Sequence, residues 1–105
     1  MSTKQFNKLV RDRIPDIISL NGEIAITKVL TYEQFRICIN EKLKEEVQEF
    51  LLSGSVEELV DIFQVILTIL EQRGISFDEF EAMRQQKAIE KGEFKKRIFL
   101  SCVKK

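Results

Sequence analysis

Histidine and tryptophan are absent from this 105-residue chain, proline occurs once and cysteine twice. Without histidine there is no imidazole to act as a general acid or base near neutral pH, and none to ligate a metal. Cys38 and Cys102 stand far apart and form no CxxC pair, so no zinc or redox motif is present and both read as reduced thiols. A long apolar run is missing too. The richest stretch, around "VILTIL", is far too short to span a bilayer. The start, "MSTKQFNKLV", lacks the apolar core of a signal peptide, which makes a cytoplasmic protein with no membrane partner the expectation. A surplus of either charge is lacking as well, with 17 basic residues against 17 acidic ones. That balance argues against a dedicated binder of nucleic-acid polymers or of an anionic membrane surface.

What is present is an uneven distribution of that charge. From Glu33 to Asp61 there are eight acids and three bases, from Arg84 to Lys105 eight bases and two acids, and in the first thirteen residues four bases and one acid. An acidic centre lies between two basic ends. The length suits one domain, residues 1–105, with one modest core. Pro15 opens a short helix, "PDIISL", that stops at Asn21-Gly22. Thr31-x-x-Gln34, Ser55-x-x-Glu58 and Ser76-x-x-Glu79 match the capping-box pattern and place three further helices at about 32–52, 56–73 and 77–91. Gly54 and Gly74 punctuate the first two of these. The expected fold is mainly α, an antiparallel helix bundle. A small two-stranded β ribbon is expected from "EIAITKVL", near 24–29, and the tail near 97–103.

Four carboxylates fall where these helices should be apolar. At about 100° per residue, Phe35, Ile39, Leu43 and Phe50 define one face of the 32–52 helix. Glu46 lies in the middle of that face and Glu49 on its shoulder, with Glu45 further round. In the next helix Glu58 lines up with Ile62, Val65 and Ile69, and Asp61 sits about 60° to one side. The turn between the helices, "SGS", is short, so they should pack as antiparallel neighbours with all four acids near the turn end. The segment "DIFQVILTIL" is apolar almost all the way round, which suggests burial on more than one side and cover from another subunit.

Four uncompensated charges in a partly buried place are costly, so something must neutralise them. Lys42 stands four residues before Glu46 and can pair with it, but one lysine does not answer four acids. A divalent cation does. All-oxygen ligation favours a hard ion, Mg²⁺ first and Mn²⁺ second, and Mg²⁺ commonly completes its shell with substrate phosphate oxygens. A phosphorylated substrate follows from that preference. The plainer accounts are that Glu58 serves only as the third residue of a capping box, and that Glu41, Glu45 and Glu57 are solvated surface.

The order Glu45-Glu46-x-x-Glu49 followed by Glu58-x-x-Asp61 resembles the EExxE…ExxD signature of the all-α nucleoside triphosphate pyrophosphohydrolases: MazG-like proteins, phosphoribosyl-ATP pyrophosphohydrolases and dimeric dUTPases. "NKLVRDRIPDII" resembles the KLVRDKIP motif that opens a short-chain branch of that superfamily, and "KAIEKGEFKKRIFL" resembles its C-terminal segment. The spacer between Glu49 and Glu58 is eight residues, shorter than in typical MazG proteins, and Gly92-Glu93 stands where two glycines are expected. The resemblance implies hydrolysis of a nucleoside triphosphate, or a related nucleotide, to the monophosphate and pyrophosphate, with a house-cleaning role in the nucleotide pool. It implies Glu46, Glu49, Glu58 and Asp61 as metal ligands, and Glu45, Glu46 and Glu49 as the catalytic carboxylates, Glu45 holding a second metal or orienting water. It implies a homodimer or homotetramer. The phosphate charge needs cations, for which Lys8, Arg11, Arg84, Lys87 and Arg97 are the candidates. Two alternatives stand beside this expectation: phosphoribosyl-ATP as the substrate, and a catalytically silent oligomeric helical module that binds a nucleotide or a protein.

Overall fold

The computed structural model describes residues 2–105. They form four helices, α1 (Ile14–Leu20), α2 (Tyr32–Ser53), α3 (Val56–Gln72) and α4 (Phe77–Lys91). The chain is mainly α, and the helices lie where capping and periodicity place them. Pro15 sits in the first turn of α1, where its missing N–H costs nothing. Thr31 caps α2 in a reciprocal box: its hydroxyl accepts from the Gln34 amide at 3.2 Å, and its own N–H donates to the Gln34 side chain at 3.0 Å. Ser76 accepts from the Glu79 amide at 3.1 Å and starts α4 in the same way.

No β strand occurs among the described residues, so the expected ribbon near 24–29 and 97–103 is not formed. An isolated pair of strands is marginal in water without a third strand or a helix to cover it. Here the two stretches also fall in separate compact units, residues 1–69 and residues 70–105. Their apolar side chains, among them Ile26, Val29 and Phe99, are exposed.

In the first unit α2 and α3 form a hairpin. Gly54 ends α2 in the left-handed region at φ 65°, a conformation that costs a residue with a Cβ about 1 kcal/mol or more. Its N–H donates to the Phe50 carbonyl at 2.7 Å, and Ser55 then accepts from the Glu57 amide at 3.2 Å to start α3. The reversal is thus complete within three residues. Ile39 of α2 and Val65 of α3 are buried, and Phe35, Leu43, Phe50, Ile62 and Ile69 are half-buried around them. In the second unit Leu70 is buried, and its carbonyl accepts from the amides of Arg73 and Ile75 in the turn before α4. No helix among the described residues is long and apolar enough to cross a membrane.

Candidate metal centre

The buried face of α2 carries a charge. Glu46 is only 6% exposed, as deeply placed as the apolar residues around it. The antiparallel reversal at Gly54 brings α3 alongside, and oxygen atoms of Glu46, Glu58 and Asp61 then all lie within 4.8 Å of one another. In a six-coordinate Mg²⁺ shell with bonds of about 2.1 Å, opposite ligands are roughly 4.2 Å apart. Neighbouring ligands are closer, at about 3 Å, so the three oxygens would draw together on binding such an ion. The donor set is all carboxylate, which suits a hard divalent cation.

Two atoms point to a missing positive partner. Glu46 Oε2 and Glu58 Oε2 are buried, and neither has a hydrogen-bond partner in the structure. The other Glu46 oxygen lies 3.2 Å from the Lys42 ammonium, as the spacing of four residues requires. Burial pushes the Glu58 carboxyl up from its ordinary range, and the charges of Glu49, Asp61 and Glu46 push it in the same direction. Such a carboxyl sits in a field of negative charge with no cation of its own. The capping account of Glu58 does not hold: Ser55 donates its N–H to Ser53 Oγ at 3.2 Å, and Ser55 Oγ accepts from Glu57. The Glu58 side chain is left for the cluster.

Glu49 is exposed and lies outside the three-residue cluster, but its charge reaches Glu58. Glu45, read from the wheel as peripheral, is half-buried and held by two lysines. Lys8 donates to its Oε1 at 2.6 Å and Lys42 to its Oε2 at 3.0 Å. Burial raises the proton affinity of Glu45, yet these two hydrogen bonds outweigh it and leave its carboxyl below the ordinary range. Burial likewise opposes the charged form of Lys42, but its bonds to Glu45 and Glu46 prevail and hold its pKa above the usual lysine range. Lys42 is the central cation of the site. The sequence marked it only as a partner for Glu46, and the signal for more was that Glu45 and Glu46 stand three and four residues after it.

Of the five basic residues expected to bind phosphate, the structure brings two to the cluster. Arg11 donates to Asp61 Oδ1 at 2.6 Å, and Lys8 is paired with Glu45. The segment before α1 therefore contacts both helices of the hairpin. Arg84, Lys87 and Arg97 belong to the second unit. There Arg84 is committed to Glu81 through two of its nitrogens, and Lys87 and Arg97 are exposed. Arg97 adopts a left-handed backbone at φ 54°. Comparison with known proteins finds no matching family model, no matching curated protein and no matching solved structure.

Proposed function

We propose that the α2–α3 hairpin is the catalytic centre of a Mg²⁺-dependent nucleotide pyrophosphohydrolase, of the all-α kind that the EExxE…ExxD pattern resembles. The observation that carries this reading is the convergence of Glu46, Glu58 and Asp61, two of which each have a buried carboxylate oxygen without a hydrogen-bond partner. Glu46, Glu58 and Asp61 would hold the ion, with Glu49 beside them. A bound divalent cation would supply neutralisation of the phosphate oxygens and an acidified water, with Mn²⁺ as the second choice.

The chain's own side chains divide the remaining work. Lys42 bonds both Glu45 and Glu46 and, with Lys8, holds the Glu45 carboxyl below its ordinary range. Lys8 and Arg11 are on a flank where they can turn from carboxylates to the substrate's phosphate oxygens. Glu45, pinned by two ammonium groups, is a poor proton acceptor and acts by placing Lys8 and Lys42. Glu49 is exposed, within reach of Glu58, and is the carboxylate best placed to take the proton of an attacking water. No histidine is needed. Phosphoryl transfer relies on positioning and charge more than on covalent chemistry, and the site has both.

The same reading includes a homo-oligomer. Val56 and Val60 on α3, and Leu51 and Leu52 at the end of α2, are 60–89% exposed. Contiguous apolar residues of this kind on a helical hairpin mark an interface.

The test is pyrophosphate release from a panel of canonical and modified nucleoside triphosphates and phosphoribosyl-ATP, with Mg²⁺ and with EDTA. Release that requires Mg²⁺ and is lost in Glu49→Gln is the expected result, and the best substrate decides between the nucleoside triphosphate and phosphoribosyl-ATP branches. A folded protein that binds Mg²⁺ and releases nothing would instead be the silent nucleotide- or protein-binding module.

A further inference from the structure

A cavity of about 290 Å³ opens beside the carboxylate cluster, between the segment before α1 and one face of α2. Asn7, Leu9, Cys38 and Glu41 line it, and Lys8, Lys42 and Glu45 form its inner side. Its size is at the lower end of small-molecule sites, roughly 300–1,000 Å³. It takes a single heterocycle with its sugar and little more.

The wall chemistry selects further. The two lysines are already matched, since both donate to Glu45 at 2.6 and 3.0 Å. Two cations in the lining, Lys8 and Lys42, are balanced by two carboxylates, Glu41 and Glu45, so the cavity offers no net positive charge to an anionic occupant. The remaining surface is an amide at Asn7, an apolar side chain at Leu9, a thiol at Cys38 and a carboxylate at Glu41 for which no ion pair is formed among the described residues. Asn7 takes the left-handed backbone, φ 47°, that asparagine tolerates better than most residues. An ionised carboxylate accepts hydrogen bonds and cannot donate them. A base edge that meets Glu41 must therefore donate.

We propose that this cavity seats the nucleoside half of the substrate and prefers a base bearing an exocyclic amino group over one bearing a carbonyl there. The placement rests on the hydrolase reading of the adjacent cluster, because Lys42 connects the two. It contacts Glu45 on the cavity side and Glu46 on the metal side. A nucleotide laid across Lys42 would have its base in the cavity and its phosphates at the carboxylates. Glu41 is then the specificity residue. A carbonyl set against it leaves two acceptors facing each other, which costs about tenfold or more in affinity.

Cys38 provides a direct readout. In the full-length protein with EDTA present, iodoacetamide alkylation of Cys38 is followed by peptide mass spectrometry, with exposed Cys102 as the internal control. Millimolar cytidine should slow Cys38 and leave Cys102 unchanged. Uridine should need roughly tenfold more to do the same, and Glu41→Gln, whose amide can donate, should erase that difference. Pyrophosphate should protect poorly. Equal protection by pyrophosphate, equal protection by cytidine and uridine in the wild type, or no protection by cytidine would each overturn the proposal. Asp61→Asn separates it from the hydrolase reading. That variant should lose pyrophosphate release and retain cytidine protection, whereas protection in a wild-type protein that hydrolyses nothing would leave the cavity standing and remove the enzyme.

Discussion

Glu58 is the residue at which the electrostatics of the site can be read most directly. Its carboxyl is raised by burial and by Glu49, Asp61 and Glu46, so in the metal-free protein it is a source of repulsion. Glu58→Gln should therefore raise Tm in EDTA and abolish the further rise on adding Mg²⁺. Wild type should show that rise, since a ligand at a hundredfold its Kd stabilises by about 2.7 kcal/mol. Differential scanning fluorimetry of the two proteins with and without the ion checks both signs, and a wild type indifferent to Mg²⁺ would remove the metal centre. Arg11 offers a second test because its two expected roles oppose each other. Its pair with Asp61 is half-exposed and worth at most about 1 kcal/mol. Arg11→Ala should leave stability nearly unchanged and tighten Mg²⁺ binding up to about fivefold, by freeing Asp61. It should also lower kcat/KM, by removing a cation from the phosphates. Calorimetry and steady-state kinetics on one variant separate these effects.

At the level of helices, α2 and α3 were legible in the sequence because several weak signals agreed. Capping residues, glycine stops and the run of apolar residues all placed their ends within a residue or two. The buried position of Glu46 was legible for the same reason, as a wheel angle needs only the helix to be correct. The contact of Glu45 with Lys8 was not. Its wheel position faced away from the core, and only the return of the distant Lys8 encloses it. The β ribbon failed on a related point: β-branched residues mark a segment that suits a strand, but whether a partner lies alongside is a tertiary matter. In helix α4 the structure shows the partner of Arg84, one of the expected phosphate ligands. Arg84 is drawn to Glu81, and its hydrogen bonds hold the Glu81 carboxyl below the ordinary range. A depressed carboxyl stabilises the fold above its unfolded pKa, and that contribution is lost as the pH falls through the folded value. Arg84→Ala should return Glu81 upward in an NMR titration and remove that part of the acid dependence of α4.

For the whole molecule, the buried apolar side chains are few among the described residues, namely Ile39, Val65 and Leu70. Val60, at 60% exposed, is an economical probe of the proposed oligomer. Val60→Glu should be harmless to a monomer and should dissociate a dimer or tetramer in sedimentation velocity. A wild type that sediments as a monomer at micromolar concentration would remove the interface. Sequence periodicity indicated an over-apolar α3, but it carries no information on which face meets a second chain, because the pattern inside one helix is the same whatever covers it.

The cluster draws on Glu46, Glu58 and Asp61, and its lysine and arginine neighbours come from Lys8, Arg11 and Lys42. Every one of these precedes the end of α3. Glu46, Glu58 and Asp61 lie on one hairpin and are joined at little loop entropy, whereas Lys8 and Arg11 return across 37 and 50 residues to reach Glu45 and Asp61. Every residue of the hairpin precedes α4 in the order of synthesis. On the proposed reading every carboxylate ligand of the cation would come from the first unit, and the second unit would supply none.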